Sequence, residues 1–94
     1  MMATQVTRNE ARARYELTVD DELVGVADFD ETGGVVVIPH TEISPARRGR
    51  GLGAVLVRGV LDDLRSRNAT VVPACWYVRE YIEQHPEEAD LVAP

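Results

Sequence analysis

The chain has 94 residues, which suits one domain and leaves little room for a second. Its formal net charge of -6 argues against a nucleic-acid binder, because such proteins usually present a basic face. The single cysteine, Cys75, excludes an intramolecular disulfide, and no apolar stretch is long enough to span a bilayer or to form a secretory signal. We therefore expect a cytoplasmic protein that binds no membrane.

The hydrophobic pattern predicts three antiparallel strands after a flexible N-terminal segment at residues 1–13. Residues 14–20 alternate between apolar and polar side chains, as a half-buried strand does. A second strand is expected at residues 24–30, and a glycine-rich turn then leads into a third strand at residues 35–43. Pro39 cannot donate a ladder hydrogen bond, so it marks a bulge or the place where pairing stops.

A helix, a short strand and a second helix complete the predicted domain, which covers residues 14–94. The first helix begins at the glycines after the third strand and runs to about Arg67, with apolar side chains at three- and four-residue steps. A buried strand follows at Val71, and a second helix extends from Cys75 to His85. Because strand–helix–strand crossovers are right-handed, the strand at Val71 should lie parallel to the third strand. The expected fold class is α+β.

The segment Arg47–Gly53 (RRGRGLG) opens the first helix with three glycines spaced two apart. Glycines let the backbone approach a ligand closely, and the free N–H groups and dipole of a helix N-terminus favour negative charge. The three arginines add charge-assisted hydrogen bonds. The pattern predicts a diphosphate site, although it lacks the Gly-Lys-Ser/Thr of a P-loop. The alternative is a strand–helix turn that binds nothing.

Arg48-x-x-Gly51-x-Gly53 resembles the Gln/Arg-x-x-Gly-x-Gly/Ala signature of the GNAT acetyltransferase superfamily. With residues 39–43 (PHTEI) and 72–86 (VPACWYVREYIEQHP), the chain is similar to the small GNAT-like N-acetyltransferase-domain proteins. The resemblance implies a minimal acyl-CoA N-acyltransferase fold that uses acetyl-coenzyme A as acetyl donor. It implies backbone pairing of the third strand with the pantetheine arm. The implied cofactor-binding residues are Ile43, Arg48, Gly49, Arg50, Gly51, Leu52, Gly53 and Val72.

Acetyl transfer to an amine needs a proton acceptor for the amine and an acid for the leaving thiolate. His40 and Glu42 share one face of the third strand and either can be the base, with histidine the better match to neutral pH. The resemblance implies that a tyrosine of the last helix protonates the thiolate, with Tyr81 ahead of Tyr77.

Cys75 lies where the last strand meets the last helix, and a helix N-terminus lowers the pKa of a thiol. Cys75 is therefore a candidate acetyl-accepting nucleophile, as the resemblance also implies. The alternatives are a buried structural thiol for Cys75, an edge hydrogen bond for His40 and core packing for the tyrosines. No metal site is predicted.

The predicted strands follow one another through residues 14–43, which leaves no room for the helices that form the acceptor wall in larger members of the family. One interpretation is an N-acetyltransferase with an open acceptor site for an amine on a protein or a small cationic molecule. The other is a coenzyme-A-binding interaction module with little or no turnover. We expect a monomer or weak homodimer that binds no nucleic acid.

Overall fold

The structure is a computed structural model that describes residues 3–94, and it is built on one five-stranded sheet in the order β1-β2-β3-β4-β5. The first four strands are antiparallel neighbours, and β5 runs parallel to β4. The strands are β1 (Thr4–Asn9), β2 (Arg14–Val19), β3 (Glu22–Thr32), β4 (Val35–Ile43) and β5 (Thr70–Val72). The helices are α1 (Leu52–Ser66) and α2 (Trp76–Gln84), with single 3₁₀ segments at Glu10–Arg12, Pro45–Arg47 and Pro86–Leu91.

The structure confirms the predicted α+β fold, both helices and the parallel pairing of β4 with β5. The N-terminal segment differs from the prediction, because residues 4–9 form β1 and pair with β2 along their whole length. The assignment of residues 1–13 to a flexible segment is therefore corrected, and the sheet has four antiparallel strands rather than three. The hydrophobic pattern missed β1 because Val6 is its only apolar side chain. Residues 1 and 2 lie outside the described residues.

Contacts with α1, β2 and β3 hold this polar strand in place. A Cβ atom at Gly59, in the middle of α1, would lie 2.5 Å from Cγ2 of Val6, so glycine allows β1 to approach the helix closely. The guanidinium of Arg8 lies 4.3 Å from the ring centroid of Phe29 and donates a 3.0 Å hydrogen bond to the hydroxyl of Tyr15. These contacts make β1 an integral part of the domain.

The core lies between the sheet and the apolar face of α1, as the helical periodicity predicts. Tyr15 is only 1% exposed, and its hydroxyl donates a 2.6 Å hydrogen bond to Asp63 near the end of α1. No helix formed by residues 3–94 has both the length and the apolar character needed to cross a membrane. The residues that α1 buries are Leu52, Leu56, Val57, Val60, Leu61 and Leu64.

Candidate functional site

The candidate site is a cleft that opens where β4 and β5 stop pairing. Their parallel register ends at Val37↔Val72, and the amide of Cys75 then donates to the carbonyl of Ile38 at 2.9 Å. Beyond this point β4 continues to Ile43 with β3 as its only partner strand among the described residues. The second edge of β4 beyond Ile38 therefore borders the cleft without a partner strand among the described residues.

A β-bulge decides which side chains of β4 point into the protein. The β3–β4 register shifts between Val37 and His40, which confirms the bulge predicted at Pro39. The extra residue reverses the alternation of the strand beyond it. Thr41 therefore faces the inside, where its Oγ1 lies 3.4 Å from Sγ of Cys75, while His40 faces the opposite side of the sheet.

The cleft has a volume of about 770 Å³, within the roughly 300–1,000 Å³ range of small-molecule sites. One wall is the end of β4 beyond Ile38, the second is the glycine turn at residues 47–53, and the third is the start of α2. Of the residues predicted for the site, those that line this cleft are His40, Ile43, Arg48, Gly49, Gly51, Gly53 and Cys75. The sequence therefore identified residues on all three walls.

The glycine turn leaves backbone donors at the N-terminus of α1. Gly49 and Gly51 have φ values of 81° and 76°, a conformation that other residues adopt only with strain. A Cβ at either position would meet no atom within 4 Å, so these glycines serve the backbone conformation and not packing. Gly51 is the N-cap, no side chain caps the helix, and its first turn has no acidic residue. The first N–H groups of α1 are thus available to an anion.

Two of the three arginines hold the turn against the sheet. Arg48 Nε donates a 3.1 Å hydrogen bond to the carbonyl of Ile43 at the end of β4. Arg47 pairs with Glu22 at 3.1 Å. Both arginines line the cleft and contribute positive charge beside the helix N-terminus.

Three predicted cofactor-binding residues do not present side chains to the cleft. The side chain of Leu52 is only 3% exposed and belongs to the core, so this residue can offer only its backbone N–H. Arg50 is exposed but does not line the cleft, and Val72, which is 36% exposed, does not line it either. The prediction that Val72 flanks the cofactor is therefore not supported by its position.

Cys75 is the N-cap of α2 and is partly buried beside Thr41. Burial raises the pKa of its thiol, but the Thr41 hydroxyl and the backbone N–H groups of Val78, Tyr77 and Thr41 lower it, and the net result is a pKa below the ordinary value. A lower pKa increases the fraction of the thiol that is ionised at neutral pH, and the thiolate is the nucleophilic form of cysteine.

The structure places the two candidate tyrosines, Tyr77 and Tyr81, differently relative to the cleft. Tyr77 lines the cleft, and its hydroxyl lies 2.6 Å from the position that a Cβ at Gly53 would take. Tyr81 does not line the cleft. It is 9% exposed and stacks on the ring of His85 with centroids 4.0 Å apart. Of the two candidate tyrosines, Tyr77 therefore lines the cleft and Tyr81 does not, whereas the sequence analysis put Tyr81 first.

Sequence reasoning missed Thr41, the residue that contacts the thiol of Cys75. The signal was available, because a bulge at Pro39 shifts the alternation by one residue and places Thr41, not His40, on the face of Ile38.

The chain matches a known protein family along most of its length. Residues 14–91 match the family model of GCN5-related N-acetyltransferases. Protein NATD1 of Homo sapiens and of Gallus gallus are each 33% identical to this chain over 52 residues. The match covers 55% of this chain and 46–47% of those relatives, so it spans about half of their length.

Two solved structures share the fold. The solution structure of a GCN5-like protein from Staphylococcus aureus aligns with a TM-score of 0.71 and 18% identity, over 95% of this chain and 87% of that chain. The ribosomal-protein-S18-alanine N-acetyltransferase from Escherichia coli aligns with a TM-score of 0.59 and 19% identity, over 67% of this chain and 41% of that chain.

Proposed function

This chain belongs to the GCN5-related N-acetyltransferase family, and we propose that it transfers an acetyl group from acetyl-coenzyme A to an amine through the cleft beside β4. The observation that carries the proposal is the continuity of the cleft. An edge of β4 without a partner strand leads to uncapped N–H donors and arginines at the start of α1. An extended amide chain that ends in a diphosphate matches these two halves, and coenzyme A has that chemistry.

The diphosphate of the donor would accept hydrogen bonds from the backbone of residues 49–53, with Arg48 and Arg47 supplying charge. The amide groups of its pantetheine arm would pair with the free edge of β4 as an added strand does. This arrangement would bring the thioester toward Cys75, which lines the cleft.

Direct transfer of the acetyl group needs one proton acceptor and one proton donor, and two side chains of the cleft can take these roles. The amine nitrogen attacks the thioester carbonyl carbon, the new C–N bond forms and the C–S bond breaks. His40 accepts the amine proton, and the Tyr77 hydroxyl donates a proton to the leaving thiolate. Since His40 and Thr41 point to opposite faces of β4, the acceptor amine would approach from the face opposite to Cys75.

A two-step route through Cys75 uses the same cleft. The Cys75 thiolate attacks the carbonyl of the donor, which forms an acetyl-cysteine and releases coenzyme A, and the amine then takes the acetyl group. The lowered pKa of Cys75 supports this route. Acetyl-cysteine found by mass spectrometry after mixing with acetyl-coenzyme A, and lost in Cys75→Ala, would distinguish it from direct transfer.

The charge around His40 supports a cationic acceptor. Asp28 lies directly opposite His40 in the β3–β4 register, and Glu42, two residues further along β4, is exposed on the same face. These carboxylates favour an ammonium group near the base. An amine on a protein or a polyamine fits, and the acetyltransferase from Escherichia coli, named for a ribosomal-protein alanine, suggests a peptide with an N-terminal alanine as one acceptor to test.

A second candidate function is a coenzyme-A-binding module with little or no turnover. The only helical segment that the structure describes before β4 is the three-residue turn Glu10–Arg12. No helix therefore covers the acceptor side of β4 within residues 3–94, and a site without that wall would hold an acceptor weakly.

Calorimetric titration with coenzyme A tests the proposal first. We expect this titration to show one binding site. A separate assay of acetyl-coenzyme A turnover should show activity with at least one amine of a panel made up of an alanine-terminal peptide, a lysine peptide and spermidine. His40→Ala and Tyr77→Phe should each lower turnover by about 10²–10⁴-fold if they act as base and acid. Binding without turnover would leave only the binding module, and no binding would refute both functions.

A further inference from the structure

A second groove runs along α2 where this helix faces the first turn of α1, and it is rich in aromatic rings. Its volume is about 280 Å³, just below the roughly 300–1,000 Å³ of whole-ligand pockets, so it suits a single ring system. Trp76, 65% exposed, is its most accessible ring. The residues that line the groove are Ala54, Trp76, Tyr77, Glu80, Tyr81, Gln84 and His85.

This aromatic groove is continuous with the cleft. Trp76 and Tyr77 line both of them. The groove begins at Ala54, which directly follows Gly53 in the first turn of α1. A ligand that placed its diphosphate on the glycine turn would therefore have the groove beside that diphosphate.

The chemistry of the groove suits a flat heterocycle with an amino group. Tyr81 and His85 already stack at 13° with centroids 4.0 Å apart, and Trp76 meets Tyr77 edge-on at 5.7 Å. Glu80 offers an acceptor, and Gln84, which donates a 3.3 Å hydrogen bond to Glu80, carries both a donor and an acceptor. A glutamine amide pairs with the amino group and ring nitrogen of adenine.

We propose that the aromatic groove binds the adenine ring of coenzyme A, with Trp76 stacking on the ring and Gln84 and Glu80 reading its amino edge. The proposal rests on the proposed function, because it takes the diphosphate position from it. The rings and Glu80 would also suit an alkylammonium ion, since cations bind over aromatic faces. Continuity with the diphosphate turn favours adenine, and the ammonium ion becomes an arm of the test.

Trp76 is the only tryptophan of the chain, so its fluorescence reports on the groove directly. We expect adenosine 3′,5′-bisphosphate, the nucleotide part of coenzyme A, to quench it. Coenzyme A should bind at least roughly tenfold more tightly than 4′-phosphopantetheine, which lacks the adenosine and one phosphate of the diphosphate, because it adds base stacking and a second phosphate contact.

Variants of residues that line the groove but not the cleft sharpen the test. Gln84→Ala and His85→Ala should each weaken coenzyme A binding roughly fivefold and leave 4′-phosphopantetheine binding unchanged. Glu83→Ala is the matched control, because Glu83 is exposed on the same helix and does not line the groove.

Unchanged coenzyme A affinity in both Gln84→Ala and His85→Ala, with coenzyme A still bound, would overturn the groove assignment and leave the proposed function intact. Quenching of Trp76 by choline but not by the bisphosphate would also overturn it. Failure of all these ligands to bind would refute the proposed function and the groove together.

Discussion

The two ends of α1 are built in opposite ways. At the C-terminal end Arg65 pairs with both Glu88 and Asp90, and Asp63 accepts hydrogen bonds from Tyr15 and Arg67. At the N-terminal end a glycine is the N-cap, and no side chain caps the helix. The C-terminal end of α1 is thus a bonded end, held by side-chain hydrogen bonds, and its N-terminal end is a free end, where no side chain bonds to the backbone donors.

The difference shows where this small domain gains stability and where it keeps groups free for a ligand. The bonded end joins α1 to β2 and to the last 3₁₀ segment, and it fixes the helix against the sheet. The free end borders the cleft, where a bound anion would complete the missing cap. Changes at the free end should therefore alter ligand binding, whereas changes at the bonded end should alter folding.

The largest expected effect comes from Gly51→Ala at the free end. The new methyl group would stand on the face that a diphosphate approaches and would strain a backbone at φ 76°. We expect coenzyme A affinity to fall at least about thirtyfold, or about 2 kcal/mol, measured by calorimetry.

Gly34→Ala is the matched control. Gly34 has a φ of 82° and equally open surroundings, but it lies in the β3–β4 turn and does not line the cleft. Both variants should lose about 1 kcal/mol of stability from backbone strain, and only Gly51→Ala should lose affinity. An equal loss of affinity in both variants would contradict a ligand site at the free end.

Much of this arrangement is predictable from the sequence, for physical reasons that also explain the failures. The periodicity of α1 and the glycines before it are local patterns, so the helix and the turn were found. β1 was missed because Val6 is its only apolar side chain and the helix that Val6 packs against is distant in sequence, although Gly59 inside that helix hinted at a close neighbour. Tyr77 and Tyr81 share a helix face, and the choice between them depended on how closely α2 approaches Gly53.

At the bonded end, Tyr15→Phe should reduce the free energy of unfolding by about 1.5 kcal/mol, because the buried hydroxyl links Arg8 to Asp63. Urea denaturation measures this loss. Coenzyme A affinity should not change. Tyr77→Phe, whose hydroxyl lies in the cleft, should stay within about 0.5 kcal/mol of the parent protein. A comparable loss of stability in both would remove the contrast between the two ends.

The same tyrosine predicts a pH dependence of folding. Burial and then the hydrogen bond to Asp63 raise the pKa of Tyr15 to about 12, from an ordinary value of 10.0. Because the folded state holds the proton more tightly, this contribution is complete below pH 10 and is lost as the pH rises toward 12. Stability measured across this range should fall less in Tyr15→Phe than in the parent protein, and identical slopes would refute the assignment.

In the middle of α1, Gly59→Ala should cost about 1 kcal/mol, because overpacking against Val6 exceeds the gain in helix propensity. The double variant Val6→Gly/Gly59→Ala should be more stable than the sum of the single changes, since the clash is then absent. Urea denaturation of all four proteins gives the coupling free energy. Additive changes would mean that β1 does not press on α1 as closely as the structure has it.

The smallest expected effect is electrostatic and belongs to the cleft. Thr41→Val removes the hydroxyl that helps to lower the pKa of Cys75, so the midpoint of thiol alkylation should move to higher pH. The rate of reaction with iodoacetamide against pH measures this midpoint. Thr70→Val, on β5 and away from the thiol, should leave the profile in place. An unchanged profile in Thr41→Val would mean that backbone N–H groups, those at the start of α2 and that of Thr41, lower the pKa of the thiol without help from the hydroxyl.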